Sequence, residues 1–160
     1  MKRSMAGLLL AFGGILLVAQ TGSDADLPGF LHLRSDQLRL FKRSLQPKMN
    51  LYKQAASQLA DYGNHTAWVA HREADGLAEI HENWADLMFV ISGEATLLVG
   101  GTVVERMTDS PGEVRGSTIS NGQKRVMREG DVVQVPAGMP HQFLVTKGKE
   151  ITFFTMKIAK

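Results

Sequence analysis

The sequence predicts an all-β domain, an antiparallel sandwich or barrel, carrying a short helical arm on its N-terminal side. Three observations lead there. From Gly63 onward the apolar residues recur with a period of two, in short runs. Glycine turns punctuate the runs, at Gly100-Gly101, Glu129-Gly130-Asp131 and Lys147-Gly148-Lys149. No helical pattern separates them, which argues for antiparallel pairing and against βαβ units.

The bulk properties fit one folded domain. The chain has 160 residues, 44% of them hydrophobic and 21% charged, which is a globular composition and not a disordered one. Of its 18 Lys and Arg, Lys2 and Arg3 fall in residues 1–25, as does Asp24 of the 16 Asp and Glu, which leaves 16 basic against 15 acidic residues. The body of the chain is thus near neutral and gives no reason to expect nucleic acid as a partner. There is no cysteine, so the fold is held by packing alone.

Residues 1–25 read as a secretory signal: Lys2-Arg3, then an apolar run from Met5 to Ala19, then the small residues Ser23 and Ala25 around a cleavage point. The apolar run is short for a membrane span. The expectation is an exported, periplasmic or extracellular protein, with an uncleaved membrane anchor as the alternative. Residues 26–62 read as linker and helical arm. Pro28-Gly29 breaks the chain, Ser35-Asp36 offers a helix start, and Leu38, Leu40, Phe41 and Leu45 follow at mixed helical spacing. Pro47 suits the first turn of a second helix, expected over 47–60 on the spacing of Met49, Tyr52, Ala56 and Leu59.

Residues 63–160 carry the barrel. Strands are expected at 65–72, 77–83, 87–91, 95–99, 102–105, 124–128, 131–135, 142–146 and 151–158. Gly100-Gly101 predicts a tight hairpin between the fourth and fifth of these. Residues 107–123, rich in Gly, Ser, Thr, Asp and Pro, read as a long surface loop. No internal repeat is visible, so one barrel is expected.

Two motifs carry chemistry. Gly130 to His141 reads G-x5-P-x-G-x2-H, a β-branched strand running into a Pro136-Ala137-Gly138 turn with a histidine at the next strand. Upstream, Glu79, His81, Asp86 and Gly93 read E-x-H-x4-D-x6-G. Residues two apart on a strand share a face, so Glu79, His81 and Asn83 project together, and Asp86 can reach back from the partner strand. Two imidazoles with one or two carboxylates form a mixed N/O donor set that suits one divalent transition metal: Fe, Mn, Ni, Co or Zn. Glu79 is either a fourth ligand or a general base. A rival register keeps His81 as first ligand and uses Asn83 as the second.

The downstream motif resembles the second signature of the cupin family, with every fixed position filled. The upstream one resembles its first signature, roughly H-x-H-x3–4-E-x6-G, with Glu79 at the first histidine position and Asp86 at the glutamate position. The resemblance covers 63–158 and implies a cupin jelly-roll barrel of the small single-domain bacterial type, behind the short N-terminal arm. It also implies a metal on His81, Asp86, His141 and Glu79, a small-molecule ligand or substrate in the cavity, and a homodimer. Cupin activities are diverse, so fold alone does not choose among them. The expected function is a metal-dependent enzyme of oxygenase or isomerase type acting on a small organic molecule; the alternative is a non-catalytic binder with no metal or a structural one.

Other side chains are read more plainly. His65 and His71 share a strand face at the surface or an interface, and His32 is exposed. Tyr62 and Trp84 pack against the arm. Met88, Phe89 and Phe143 line the barrel. Gln134 faces either the pocket or solvent. Arg115 is a solvated loop arginine, with bidentate binding of a substrate carboxylate as the sharper option. No G-x-S-x-G, G-x-G-x-x-G or P-loop pattern is present.

Overall fold

Residues 27–160 are described by the computed structural model; the stretch 1–25 expected to be a signal lies outside the described residues. Helix α1 runs Ser35–Leu45, followed by one turn of 3-10 helix at Gln46–Lys48. Twelve strands follow: β1 Gln54–Asp61, β2 His65–Arg72, β3 Ala78–His81, β4 Trp84–Val99, β5 Thr102–Val104, β6 Met107–Ser110, β7 Glu113–Gly116, β8 Thr118–Ser120, β9 Gln123–Arg128, β10 Val132–Val135, β11 His141–Leu144 and β12 Ile151–Ala159. Pairing is antiparallel throughout, in the order β1-β2-β12-β4-β11-β3-β7-β6, with β9 and β10 also on β4 and a separate β5-β8 pair. The all-β expectation holds.

Strand β4 organises the barrel. It fuses the two strands expected at 87–91 and 95–99, and it changes which residues face inward on the way. Asp86, Met88 and Val90 point in along its first half; Ala95 and Leu97 do so along its second. The switch is a bulge against β12, where Thr152 pairs with Ser92 but Phe153 pairs with Val90. Gly93 makes the bend possible: its φ is +81°, and a Cβ there would sit 2.1 Å from the Glu150 carbonyl oxygen.

The core inside the barrel gathers Met88, Val90, Leu97, Met127, Phe143, Ile151 and Phe153. Phe143 and Phe153 stack with centroids 4.8 Å apart. Outside β2, Leu45 of α1 is fully buried with Val69 and Ile91. The apolar face of α1 is thus covered by the sheet, and a Lys42–Glu150 ion pair and a bond from Gln46 to Glu73 fasten it.

Four expectations are corrected. The second helix over 47–60 is absent. Asn50 Oδ1 accepts from Tyr52 N and Gln54 N, Lys53 takes φ +53°, and 54–61 becomes an edge strand on β2. Long-range pairing overrides helical spacing there. The stretch 107–123 is not one loop but contains β6, β7 and β8, short strands with polar outer faces. Gly100-Gly101 forms a turn with both φ values positive. However, β5 pairs with β8, because both edges of the second half of β4 are taken by β11 and β9. Phe89 points outward, 38% exposed, because it lies on the opposite side of β4 from Met88.

Candidate metal centre

The candidate site is built where β3, β4, β11 and β12 bring charged side chains onto the inner wall. On β3, Ala78 and Ile80 pack into an apolar cluster with Val114, and the alternate residues Glu79 and His81 turn the other way. His141 stands directly opposite Glu79 in the β11–β3 register. It emerges from the turn read in the sequence: Met139 N bonds Pro136 O, and Gly138 N bonds His81 O at 2.8 Å. The glycine turn therefore ties the two histidine segments together. Asp86 comes from β4, two residues before Met88 on the inward face.

Glu79, His81 and His141 bring ligand atoms within 4.8 Å of one another, and Asp86 reaches both histidines. Asp86 Oδ2 lies 3.4 Å from His81 Nε2 and 3.4 Å from His141 Nε2. Glu79 Oε2 lies 3.5 Å from His81 Nε2. Both histidines are nearly inaccessible, as is Asp86. Asn83 is exposed beyond the end of β3, against Gly112, so the rival register that used it does not describe this site. Its two-residue relation to His81 is lost because β3 ends at His81 and the chain turns.

Each imidazole has its outer nitrogen fixed. His81 Nδ1 meets Glu113 Oε2 at 2.6 Å, and His141 Nδ1 meets the Met139 carbonyl oxygen at 3.1 Å. A carboxylate and a carbonyl only accept, so the proton of each neutral ring belongs on Nδ1. Both Nε2 lone pairs then face Asp86. Bonds of 2.0–2.2 Å to a shared ion separate neighbouring ligand atoms by about 3.0–3.5 Å. The spacings of 3.4 and 3.5 Å match that, and the N/O donor set suits a divalent transition metal.

Basic side chains face the acidic ones. Lys157, directly opposite Asp86 in the β4–β12 register, places its ammonium 2.9 Å from Asp86 Oδ1. Arg72 contacts Glu79 at 3.5 Å and lies over the Phe143 ring. Arg115 lies 3.2 Å from Glu113 and 3.9 Å from Glu79. Burial opposes ionisation of Glu79, yet the adjacent His81 ring and the Arg72 and Arg115 charges hold its carboxyl well below the usual range. Burial likewise opposes ionisation of Asp86, and His141 and Lys157 overcome it, so its pKa is also lowered. Burial disfavours protonated His81, but Glu79 and Asp86 prevail against it and against Lys157, and its pKa is raised.

Sequence reasoning named the four converging residues and missed Glu113, Lys157 and Arg72. Glu113 was hidden in the supposed loop. Lys157 left one signal: a charge inside the apolar strand 151–158, which is costly unless paired. Arg115 is no solvated loop residue but sits on β7 opposite Glu79. His71 is fully buried on the outer side of β2, bonded to Thr152 Oγ1 at 2.8 Å, and does not share the surface position expected for it. Tyr62 stacks on His65 at the β1–β2 turn and not on the arm. Gln134 faces solvent.

No protein-family model matches the sequence, and no curated protein does. Solved structures do. An uncharacterised conserved protein with a double-stranded β-helix domain from Klebsiella pneumoniae aligns with a TM-score of 0.51 at 17% identity, over 69% of this chain and 80% of that one. The polyketide cyclase RemF from Streptomyces resistomycificus aligns at 0.48 and 14% identity, over 68% of this chain and 66% of its own. The DMSP lyase DddQ from Ruegeria pomeroyi aligns at 0.49 and 18% identity, over 68% and 48%. The chain thus spans less than two thirds of the length of the last two. At these identities the likeness is one of fold, resting on the first: a double-stranded β-helix.

Proposed function

We propose that this chain, whose fold is the cupin-type double-stranded β-helix, is an exported metal-dependent enzyme acting on a small organic molecule. One divalent transition metal, Fe, Mn, Ni, Co or Zn, would be held by His81, His141, Asp86 and Glu79. The observation that carries the reading is the pair of imidazoles, each locked at Nδ1 by an acceptor and each presenting Nε2 to the same Asp86 oxygen at 3.4 Å. That outer support is what metal-binding histidines ordinarily have. When bound, the ion would supply Lewis acidity, or oxygen activation if it is iron.

The chain's own groups complete the account. Glu113 and the Met139 carbonyl orient the imidazoles. Glu79 stays ionised, which supports a ligand role over that of a base poised near neutral pH. Apolar walls from Met88 and Phe143 limit water access. Export rests on the basic and apolar character of residues 1–25.

One observation favours a second reading. Lys157 on Asp86, with Arg72 and Arg115 on Glu79, already neutralises the two carboxylates, as a barrel binding a small ligand without metal would need. The deciding experiment is elemental mass spectrometry of protein purified without chelator or affinity histidines, beside His81→Ala and His141→Ala. About one transition metal per chain, absent from both variants, is expected. No metal, even after reconstitution with Fe(II), Mn(II), Ni(II), Co(II) and Zn(II), overturns the metalloenzyme reading.

A further inference from the structure

The inner wall of β12 continues the site. Phe153, Thr155 and Lys157 alternate onto it: Phe153 packs in the core and Lys157 reaches Asp86. Thr155 between them is 7% exposed, and its hydroxyl has no hydrogen-bond partner. Among the described residues only one other buried side-chain polar atom, Arg72 Nε, is in that position. A buried hydroxyl left alone calls for an explanation, and a bound polar ligand is one. In register, Thr155 lies between Met88 on β4 and Trp68 on β2. Trp68 alternates with Ala70 and Arg72, which both reach the interior. A hydroxyl, an ammonium from the residue two further along the strand and an indole thus share one stretch of wall beside Asp86.

The charge balance points the same way, and this second argument rests on the metal reading above. Glu79, Asp86, Glu113 and the more exposed Asp109 face Arg72, Arg115 and Lys157, four against three with both histidines neutral. A dication turns the net −1 of this partly buried cluster into +1. Buried charge is stable only when paired, so the site then calls for an anion.

We propose that Thr155 and Lys157 form a subsite for the carboxylate of a small organic acid, Lys157 as charged anchor and Thr155 as hydrogen-bond donor, with Trp68 and Met88 flanking the acid's apolar part. One ammonium and one hydroxyl match a monoanion. A phosphate dianion wants more donors.

The test is calorimetric titration of the full chain, as purified and after chelation, with acetate, propionate and benzoate, the matching amides, and methyl phosphate. The acids bind at least about tenfold more tightly than their amides. Lys157→Met removes that preference, and Thr155→Val weakens acid binding about three- to tenfold with metal content unchanged. Equal binding of acids and amides, a preference untouched in both variants, tighter binding of methyl phosphate, or no binding at all overturns the subsite. The acid–amide comparison on the wild type needs no variant to fold. Metal content measured in parallel separates the two ideas: acid preference in protein that takes up no metal removes the metal reading and keeps the subsite, and metal without acid preference does the reverse.

Discussion

His81 gives its Nδ1 proton to Glu113 across 2.6 Å, so a residue on β7 sets the orientation of a ring on β3. Arg115 lies 3.2 Å from the same carboxylate oxygen and holds it in place. Glu113→Gln is expected to keep the fold and lower metal affinity about 10–100-fold, the usual effect of losing such outer support. Competition titrations against a fluorescent chelator measure it. Unchanged affinity would mean that Glu113 merely fills space.

The titration shifts predict opposite pH dependences in the metal-free chain. Glu79 and Asp86 have lowered pKa values, so their contribution to stability is present above the ordinary carboxylate range and is lost as pH falls through their folded values. His81 has a raised pKa, so its contribution is complete below about 6.5, the free value, and is lost as pH rises through the folded value. Chelated wild-type protein is therefore expected to lose stability both on acidification below pH 4 and on alkalisation above pH 6.5. His81→Gln should lack the second loss, as read by denaturant midpoints against pH. Metal binding must displace the His81 proton, so affinity for Zn(II) should rise with pH across the same upper window.

The fold was legible where pattern is local. Strand β2 was read at its observed ends, since Ala67, Val69 and His71 alternate with more exposed neighbours. The four converging side chains were legible because motif spacing on strands fixes which residues share a wall. What stayed hidden was set by distant pairing. The spacing of Met49, Tyr52, Ala56 and Leu59 suits a helix, and only the β2 edge, with Gln54 opposite Arg72, makes that stretch a strand. Glu113 sits among turn-forming residues, and nothing nearby in sequence announces that His81 is its register partner. Lys157 and Asp86 are paired by the closing of the barrel, a relation no local period encodes.

Phe143 links the core to the charged cluster. It stacks on Phe153 at 4.8 Å, carries the Arg72 guanidinium at 5.0 Å and lies two residues from His141. Phe143→Ala is expected to cost about 3–5 kcal/mol, from lost burial and the cavity left behind. Phe143→Leu should cost less and still lower metal retention, because Arg72 loses the ring that supports it beside Glu79. Denaturant unfolding with parallel metal analysis separates the two effects. A Leu variant with wild-type metal content would show that Arg72 does not depend on the ring.

Two glycines distinguish strain from collision. Gly93 and Gly130 both have positive φ, +81° and +90°. Around Gly130 nothing lies within 4 Å of an added Cβ, so Gly130→Ala should cost only the left-handed backbone penalty, about 1–2 kcal/mol. At Gly93 the added carbon would meet the Glu150 carbonyl oxygen at 2.1 Å, on backbone that pairs β4 with β12. Gly93→Ala must therefore open the bulge where β4 changes its inward face, and should cost well over about 3 kcal/mol or prevent folding. Because the bulge fixes how the Asp86 half of β4 sits against its second half, folded Gly93→Ala protein should also lose metal affinity, whereas Gly130→Ala should not. Equal costs for the two variants, measured by urea unfolding, would show that the bend at Gly93 tolerates a side chain and that the inward switch along β4 has another cause.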